Sequence, residues 1–125
     1  NLIYYTYAKQ HHLSLTDFWI FYYLRLENKP LTQSDMQMYV LLPKQTIHSA
    51  IHALEKKGYV EFLPSTTKKK YFQLTEEGMI FTDSFIPYIM QAEEKALQSL
   101  ENTEVYLTME ETYKKELETT LWPSN

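Results

Sequence analysis

A chain of 125 residues, 44% hydrophobic and 15% aromatic with only two glycines, is sized for one hydrophobic core and is neither a disordered nor a fibrous composition. Its lack of cysteine excludes disulfides, thiolate zinc sites and thiol redox switches. The net charge of −4 is uneven: from Leu41 to Phe72, Lys44, Lys56, Lys57, Lys68, Lys69 and Lys70 meet only Glu55 and Glu61 (+4), while six bases and fourteen acids elsewhere leave −8, so contact with a polyanion is expected in that segment.

In chain order, Asn1 to Gln10 reads as a helix with few charges. Ser14-Leu-Thr16-Asp17 is a helix start, and the dense apolar run Leu15, Phe18, Ile20, Phe21, Tyr22 and Leu24 predicts burial on more than one side until Asn28-Lys-Pro30 ends the helix. Thr32-Gln-Ser-Asp35 is capping-box-like and opens a short helix with Met36 and Tyr39 expected inward. Val40-Leu41-Leu42 then makes a tight turn, and Pro43 suits the first position of the next helix. There Ile47, Ile51 and Leu54 recur as a buried stripe with Ala50 and Ala53 as fillers, and Gly58 stands where a left-handed residue closes the helix.

Tyr59–Leu63 and Lys70–Leu74 are β-prone, and Pro64-Ser-Thr-Thr-Lys68 between them is a basic turn, which together predict a hairpin. Thr75-Glu-Glu starts a long helix bearing Phe81, Phe85, Ile89, Ala92, Ala96 and Leu100, which Pro87 should kink or divide. Asn102-Thr103 and Thr108-Met-Glu-Glu111 compete as starts of a last helix, whose stripe is Tyr113, Leu117 and Leu121. No stretch approaches the ~20 apolar residues of a membrane span, no signal-peptide pattern follows Asn1, and the expected location is the cytoplasm.

Short helix, tight turn, helix and hairpin form a helix-turn-helix followed by a wing. With Ile47, Ile51 and Leu54 buried, the opposite face presents Lys44, Gln45, His48, Ser49 and His52, all able to hydrogen-bond and none acidic, as reading a DNA major groove requires. Lys44 can donate to guanine, Gln45 can pair with adenine, and Ser49 serves base or phosphate. Pro43 and Thr46 belong to the same end of this helix. Thr32, Ser34, Thr67, Lys68 and Lys70 are the expected phosphate-side contacts, and strand alternation would put Lys68 and Lys70 on one face. Lys56 and Lys57 complement the dipole at the helix end.

Leu15-Thr16-Asp17-Phe18, Leu31-Thr-Gln-Ser-Asp35, Leu54-Glu-Lys-Lys-Gly-Tyr-Val60 and Leu74-Thr-Glu-Glu-Gly78 resemble, in order and spacing, landmarks of the MarR family of winged-helix transcription regulators. The likeness covers roughly Leu13 to Gly78. It implies one mainly α domain over 1–125, with a small β-hairpin wing and a winged helix-turn-helix lobe at about 28–78. It also implies dimerisation helices at about 1–12 and 79–122. The implied partners are double-stranded DNA with a pseudo-palindromic operator, a second copy of the chain, and a small-molecule effector that relieves repression. The family's wing carries an Asp-x-Arg pair; here Thr66, Thr67 and Lys68 take that place, the sole arginine is Arg25, and lysine lacks the planar fork. Tyr71 to Gly78 is also similar to an ending found in PadR-type regulators, and a winged-helix adaptor that binds protein is a further alternative.

His48 and His52 have the four-residue spacing of two metal ligands, but without a cysteine or carboxylate expected beside them the reading is base or phosphate contact, and no metal. His11-His12 reads as a solvated or core-rim pair. Tyr5, Trp19, Tyr22 and Tyr23 are candidate effector contacts, expected where the first helices meet the winged lobe; the alternative is core or dimer interface. Glu76-Glu77 and Glu110-Glu111 read as helix-start acids. No glycine-rich phosphate loop or partnered nucleophile is present, so neither a cofactor nor enzymatic activity is expected.

Overall fold

A computed structural model describes residues 2–100 and 103–124, Thr103 by its backbone alone. Asn1, assigned above to the first helix, and Asn102, half of one expected helix start, lie outside the described residues. The elements run α1 (Leu2–Gln10), α2 (Leu15–Glu27), β1 (Leu31–Thr32), α3 (Gln33–Tyr39), α4 (Lys44–Lys56), β2 (Val60–Phe62), β3 (Tyr71–Leu74), α5 (Glu76–Asp83), α6 (Ile86–Gln98) and α7 (Thr103–Leu121). They fall into two compact units, up to Ile89 and from Met90 on. No described helix is long and apolar enough to cross a membrane.

Local chemistry sets each boundary in the first unit. Ser14 Oγ accepts the Asp17 N–H at 3.0 Å to start α2, and Asn28 ends it in the left-handed region at φ 51°. Burial pushes the Asp17 carboxyl above its ordinary pKa, against the lowering pull of Lys57 and the Ser14 hydroxyl. The capping box of α3 is complete: Thr32 Oγ1 accepts from Asp35 N at 3.1 Å, and Asp35 Oδ2 accepts from Thr32 N at 2.9 Å. Pro43 caps α4 from just outside it, one position earlier than expected, its φ of −56° already helical. Past Lys57, Gly58 at φ 86° donates to Glu55 O (2.9 Å) and Tyr59 donates to Leu54 O (3.0 Å), the paired bonds of a Schellman motif.

The sheet holds one strand more than the expected hairpin. β1 pairs antiparallel with β3 (Leu31 opposite Phe72), and β2 pairs with the other edge of β3 (Val60 opposite Leu74, Phe62 opposite Phe72). Two residues are too short to show an alternating pattern, so β1 leaves no periodic trace in the sequence. Under the sheet and α4 lie Leu31, Met36, Ile47, Ile51, Leu54, Val60 and Phe72, all essentially inaccessible. They meet an aromatic core in which Phe21 packs edge-on to Phe81 and Phe85 at 5.6 and 6.1 Å, and Tyr59 stacks on Phe81 at 4.5 Å. Tyr7 donates its hydroxyl proton to Phe85 O at 2.5 Å, and burial followed by the neighbouring Tyr88 raises its pKa. Tyr39 is not the inward residue expected. Its ring is 36% exposed and stacks on Tyr23 at 4.7 Å.

The expected long helix is divided, with the break at Ser84–Phe85, ahead of Pro87 in the first turn of α6. Proline lacks the N–H that would bond residue 83, and its ring would strike that carbonyl, so the chain restarts before it. In the second unit α7 begins at Thr103, which removes Thr108-Met-Glu-Glu111 as a start. Thr108 lies inside the helix and donates to Glu104 O at 2.8 Å, so Glu110 and Glu111 are interior residues of α7. Glu76 and Glu77 do occupy the first turn of α5.

Candidate nucleic-acid interface

Because Ile47, Ile51 and Leu54 are pinned in the core, α4 can turn only its other side outward. Pro43, Lys44, Gln45, Thr46, His48, Ser49 and His52 are all exposed there. Gln45 Nε2 donates to Ser49 Oγ at 3.3 Å, so two of the expected base-reading groups form one polar patch. His48 and His52 lie ring against ring at 4.4 Å, and His52 also stacks on Phe62 of the wing at 5.2 Å. One expectation is corrected: a carboxylate does stand beside these histidines. Glu55 Oε1 lies 3.3 Å from His52 Nδ1, because a step of three residues returns to nearly the same face of a helix. The acid-free surface is therefore the first two turns of α4, and the acid sits at its far end.

In the helix before it, Ser34 is exposed, whereas the Thr32 hydroxyl oxygen is engaged by the Asp35 amide. Gln33, which the sequence did not single out, spans to α4: its Nε2 donates to Lys44 O at 3.2 Å and its Oε1 lies 3.0 Å from His48 Nδ1. Only the tertiary approach of α3 to α4 brings these groups together, so no local sequence signal marks them.

The wing tip folds around Ser65. Its Oγ accepts from Thr67 N at 3.1 Å and donates to Lys69 O at 2.8 Å, which curls the tip while Lys68, Lys69 and Lys70 stay exposed. All three lysines precede β3, so strand alternation does not govern them, contrary to the expectation for Lys68 and Lys70. Thr67 and Lys70 lie beside the end of α4. With His52, Glu55, Phe62, Leu63 and Ser65 they line a groove of about 320 Å³ between the end of α4 and the wing. Arg25 lies far from the wing in function: its Nη1 donates to Asp83 Oδ1 (2.7 Å) and Thr82 Oγ1 (3.0 Å), tying α2 to α5.

A second concavity of about 600 Å³ is lined by Tyr5, Leu15, Thr16, Trp19 and Tyr23 together with Tyr39, Val40, Leu41 and Leu42. Its far wall is the turn of the helix-turn-helix. Tyr22, expected among these residues, is buried instead, packed against Phe18 and Trp19. His11 lies against Tyr7 and Phe85, and His12 is exposed.

Among known proteins, the model of the MarR family matches residues 11–70. No curated protein sequence matches the chain. Solved structures share its fold, among them these three. A MarR family regulator from Neisseria meningitidis is 23% identical with a TM-score of 0.70, the match covering 97% of this chain and 89% of that one. The transcription regulator MarR from Oenococcus oeni is 22% identical, TM-score 0.65, covering 94% and 89%. A point mutant of MepR from Staphylococcus aureus, solved bound to an oligodeoxyribonucleotide, is 20% identical, TM-score 0.61, covering 95% and 88%. Over residues 11–70 the chain is thus similar in sequence to the MarR family, and its fold is that of the solved winged-helix regulators of that family.

Proposed function

We propose that the chain is a sequence-specific regulator of transcription, a repressor that acts as a cytoplasmic homodimer on double-stranded DNA and carries no enzymatic activity. The observation that carries this reading is the first two turns of α4, where Lys44, Gln45, His48 and Ser49 are exposed, hydrogen-bonding and free of acids while the opposite edge is locked in the core. The oligonucleotide bound to the MepR mutant supports it by likeness of fold. In this reading α4 enters the major groove, Ser34 and the wing lysines hold phosphates, and two copies meet half-sites about one helical turn apart on a pseudo-palindromic operator.

The test separates the two kinds of contact. On duplexes selected from a random pool, Gln45→Ala is expected to relax preference at one base position, about a tenfold loss confined to the selected sequence. Lys68→Ala is expected to weaken selected and random duplexes alike and to reduce the salt slope by about 1. Equal losses by both variants on both duplexes would contradict this division.

The 600 Å³ aromatic groove fits a planar, largely apolar effector. Bound against Val40–Leu42, it would bias the turn that sets α3 against α4. Some planar aromatic compounds should weaken operator binding by the wild type and not by Thr16→Trp, which fills the groove; an identical response from both proteins would reject the site.

A second reading, a winged-helix adaptor for a protein partner, is favoured by one observation: the only arginine is held by Asp83, so the wing presents lysines alone. Absence of any DNA shift at low salt would select it.

A further inference from the structure

The hydrogen-bond geometry at the start of α4 decides which nitrogen of His48 carries its proton. Lys44 O, a carbonyl, can only accept, so the side-chain amide of Gln33 must point its NH₂ at it (3.2 Å). That leaves Gln33 Oε1 facing His48 Nδ1 at 3.0 Å. An amide oxygen also only accepts, so Nδ1 is the protonated nitrogen. In the neutral ring Nε2 is then a bare acceptor. No group among the described residues hydrogen-bonds it; the ring's other neighbour, His52, makes a ring contact at 4.4 Å.

We propose that Gln33 is a positioning residue that locks His48 as the Nδ1–H tautomer, so that Nε2 reads a base amino group in the major groove. The inference rests on the reading of α4 as the groove element. On the first two turns of α4 Lys44 only donates, and Gln45, Thr46 and Ser49 can do either, which makes neutral His48 the one group there restricted to accepting at its free nitrogen; His52, whose Nδ1 faces Glu55 Oε1, stands on the third turn. In the major groove cytosine offers N4–H₂ and adenine N6–H₂, whereas guanine offers the N7 and O6 acceptors and thymine O4. His48 therefore separates adenine and cytosine from guanine and thymine at one position of each half-site, by on the order of five- to tenfold for a single hydrogen bond. Neither residue reveals this in sequence, because glutamine and histidine fifteen positions apart have no local relation.

Two readouts test it. In the free protein at about pH 8, where a histidine is ordinarily neutral, ¹⁵N NMR of His48 is expected to show a protonated Nδ1 and a bare Nε2. Gln33→Leu should release the ring toward the Nε2–H form that free imidazole side chains favour, while Gln33→Glu, which keeps an acceptor facing Nδ1, should retain the lock. A protonated Nε2 in the wild type, or a spectrum unmoved in Gln33→Leu, overturns the lock. In selection from random duplexes, the wild type should enrich adenine or cytosine at one symmetric pair of positions. Gln33→Leu and His48→Ala should flatten that pair alone, leaving the position read by Gln45 intact. Guanine or thymine at that pair, or an unchanged preference in Gln33→Leu, overturns the base contact. Failure of the wild type to enrich any duplex would overturn the DNA reading together with the base contact, and the spectrum of the free protein distinguishes that from failure of the lock.

Discussion

Gly78→Ala is expected to lose about 3 kcal/mol or more of folding stability, the largest effect of any single methyl addition at a glycine in this chain. A Cβ at position 78 would stand 2.0 Å from Tyr59 O, 3.0 Å from Tyr59 C and 3.2 Å from Leu74 Cδ2. Two of those atoms are backbone, so no side chain can swing away to make room. Tyr59 cannot move independently either, since its oxygen accepts from Thr75 N (3.0 Å) and its nitrogen donates to Leu54 O to end α4. Thr75 adds a second tie, donating to Gly58 O at 2.6 Å while accepting from Gly78 N at 3.0 Å. Displacing Tyr59 thus unpicks the end of α4 and the entry to β2 together. Gly58→Ala is the contrast. Its Cβ would meet only the Glu77 carboxylate tip at 3.2 Å, and the cost is about 1 kcal/mol for the left-handed backbone. Urea unfolding of the two variants checks the ranking, and a Gly78→Ala midpoint equal to or above that of Gly58→Ala would contradict it.

The double substitution Tyr113→Lys with Leu117→Lys is expected to convert the proposed homodimer into monomers. α7 is nineteen residues long and has no buried residue among those described; Tyr106, Met109, Tyr113, Leu117 and Leu121 are exposed at three- and four-residue steps. Such a stripe left in water calls for a cover, and a second copy is the cover we propose, because two recognition helices on one duplex need a scaffold that joins them. Placing two ammonium groups in that seam opposes burial directly. Sedimentation should show the mass halved, and affinity for a selected two-half-site duplex should fall by on the order of 10²–10⁴ as the second half-site becomes an independent binding event. A wild type already monomeric at working concentration, or a dimeric double variant, would contradict the assignment.

The helix ends were readable because capping is local chemistry. Ser14, Thr32 with Asp35, and Gly58 each act within a few residues of where they stand, and the Ile47–Ile51–Leu54 stripe fixes which side of α4 faces out. What escaped the sequence is contact made across the fold. β1 exists only because β3 offers it an edge, Tyr39 meets Tyr23 of another helix instead of the core, and Gln33 reaches His48 only once α3 and α4 have packed. Glu55 was misplaced for a different reason. Along the sequence it is one of two acids in the basic segment, whereas a step of three on a helix brings it to His52.

In the proposed function the exposed side of α4 and the wing engage duplex DNA and distinguish its sequence. Its most direct test is the affinity of the wild-type chain for one selected duplex and its scrambled counterpart across a salt series. Steep losses with added salt are expected, with a log–log slope of roughly −0.9 per phosphate contacted and a preference for the selected duplex of about 10³-fold or more. A flat salt response, or equal affinity for the two duplexes, would contradict it.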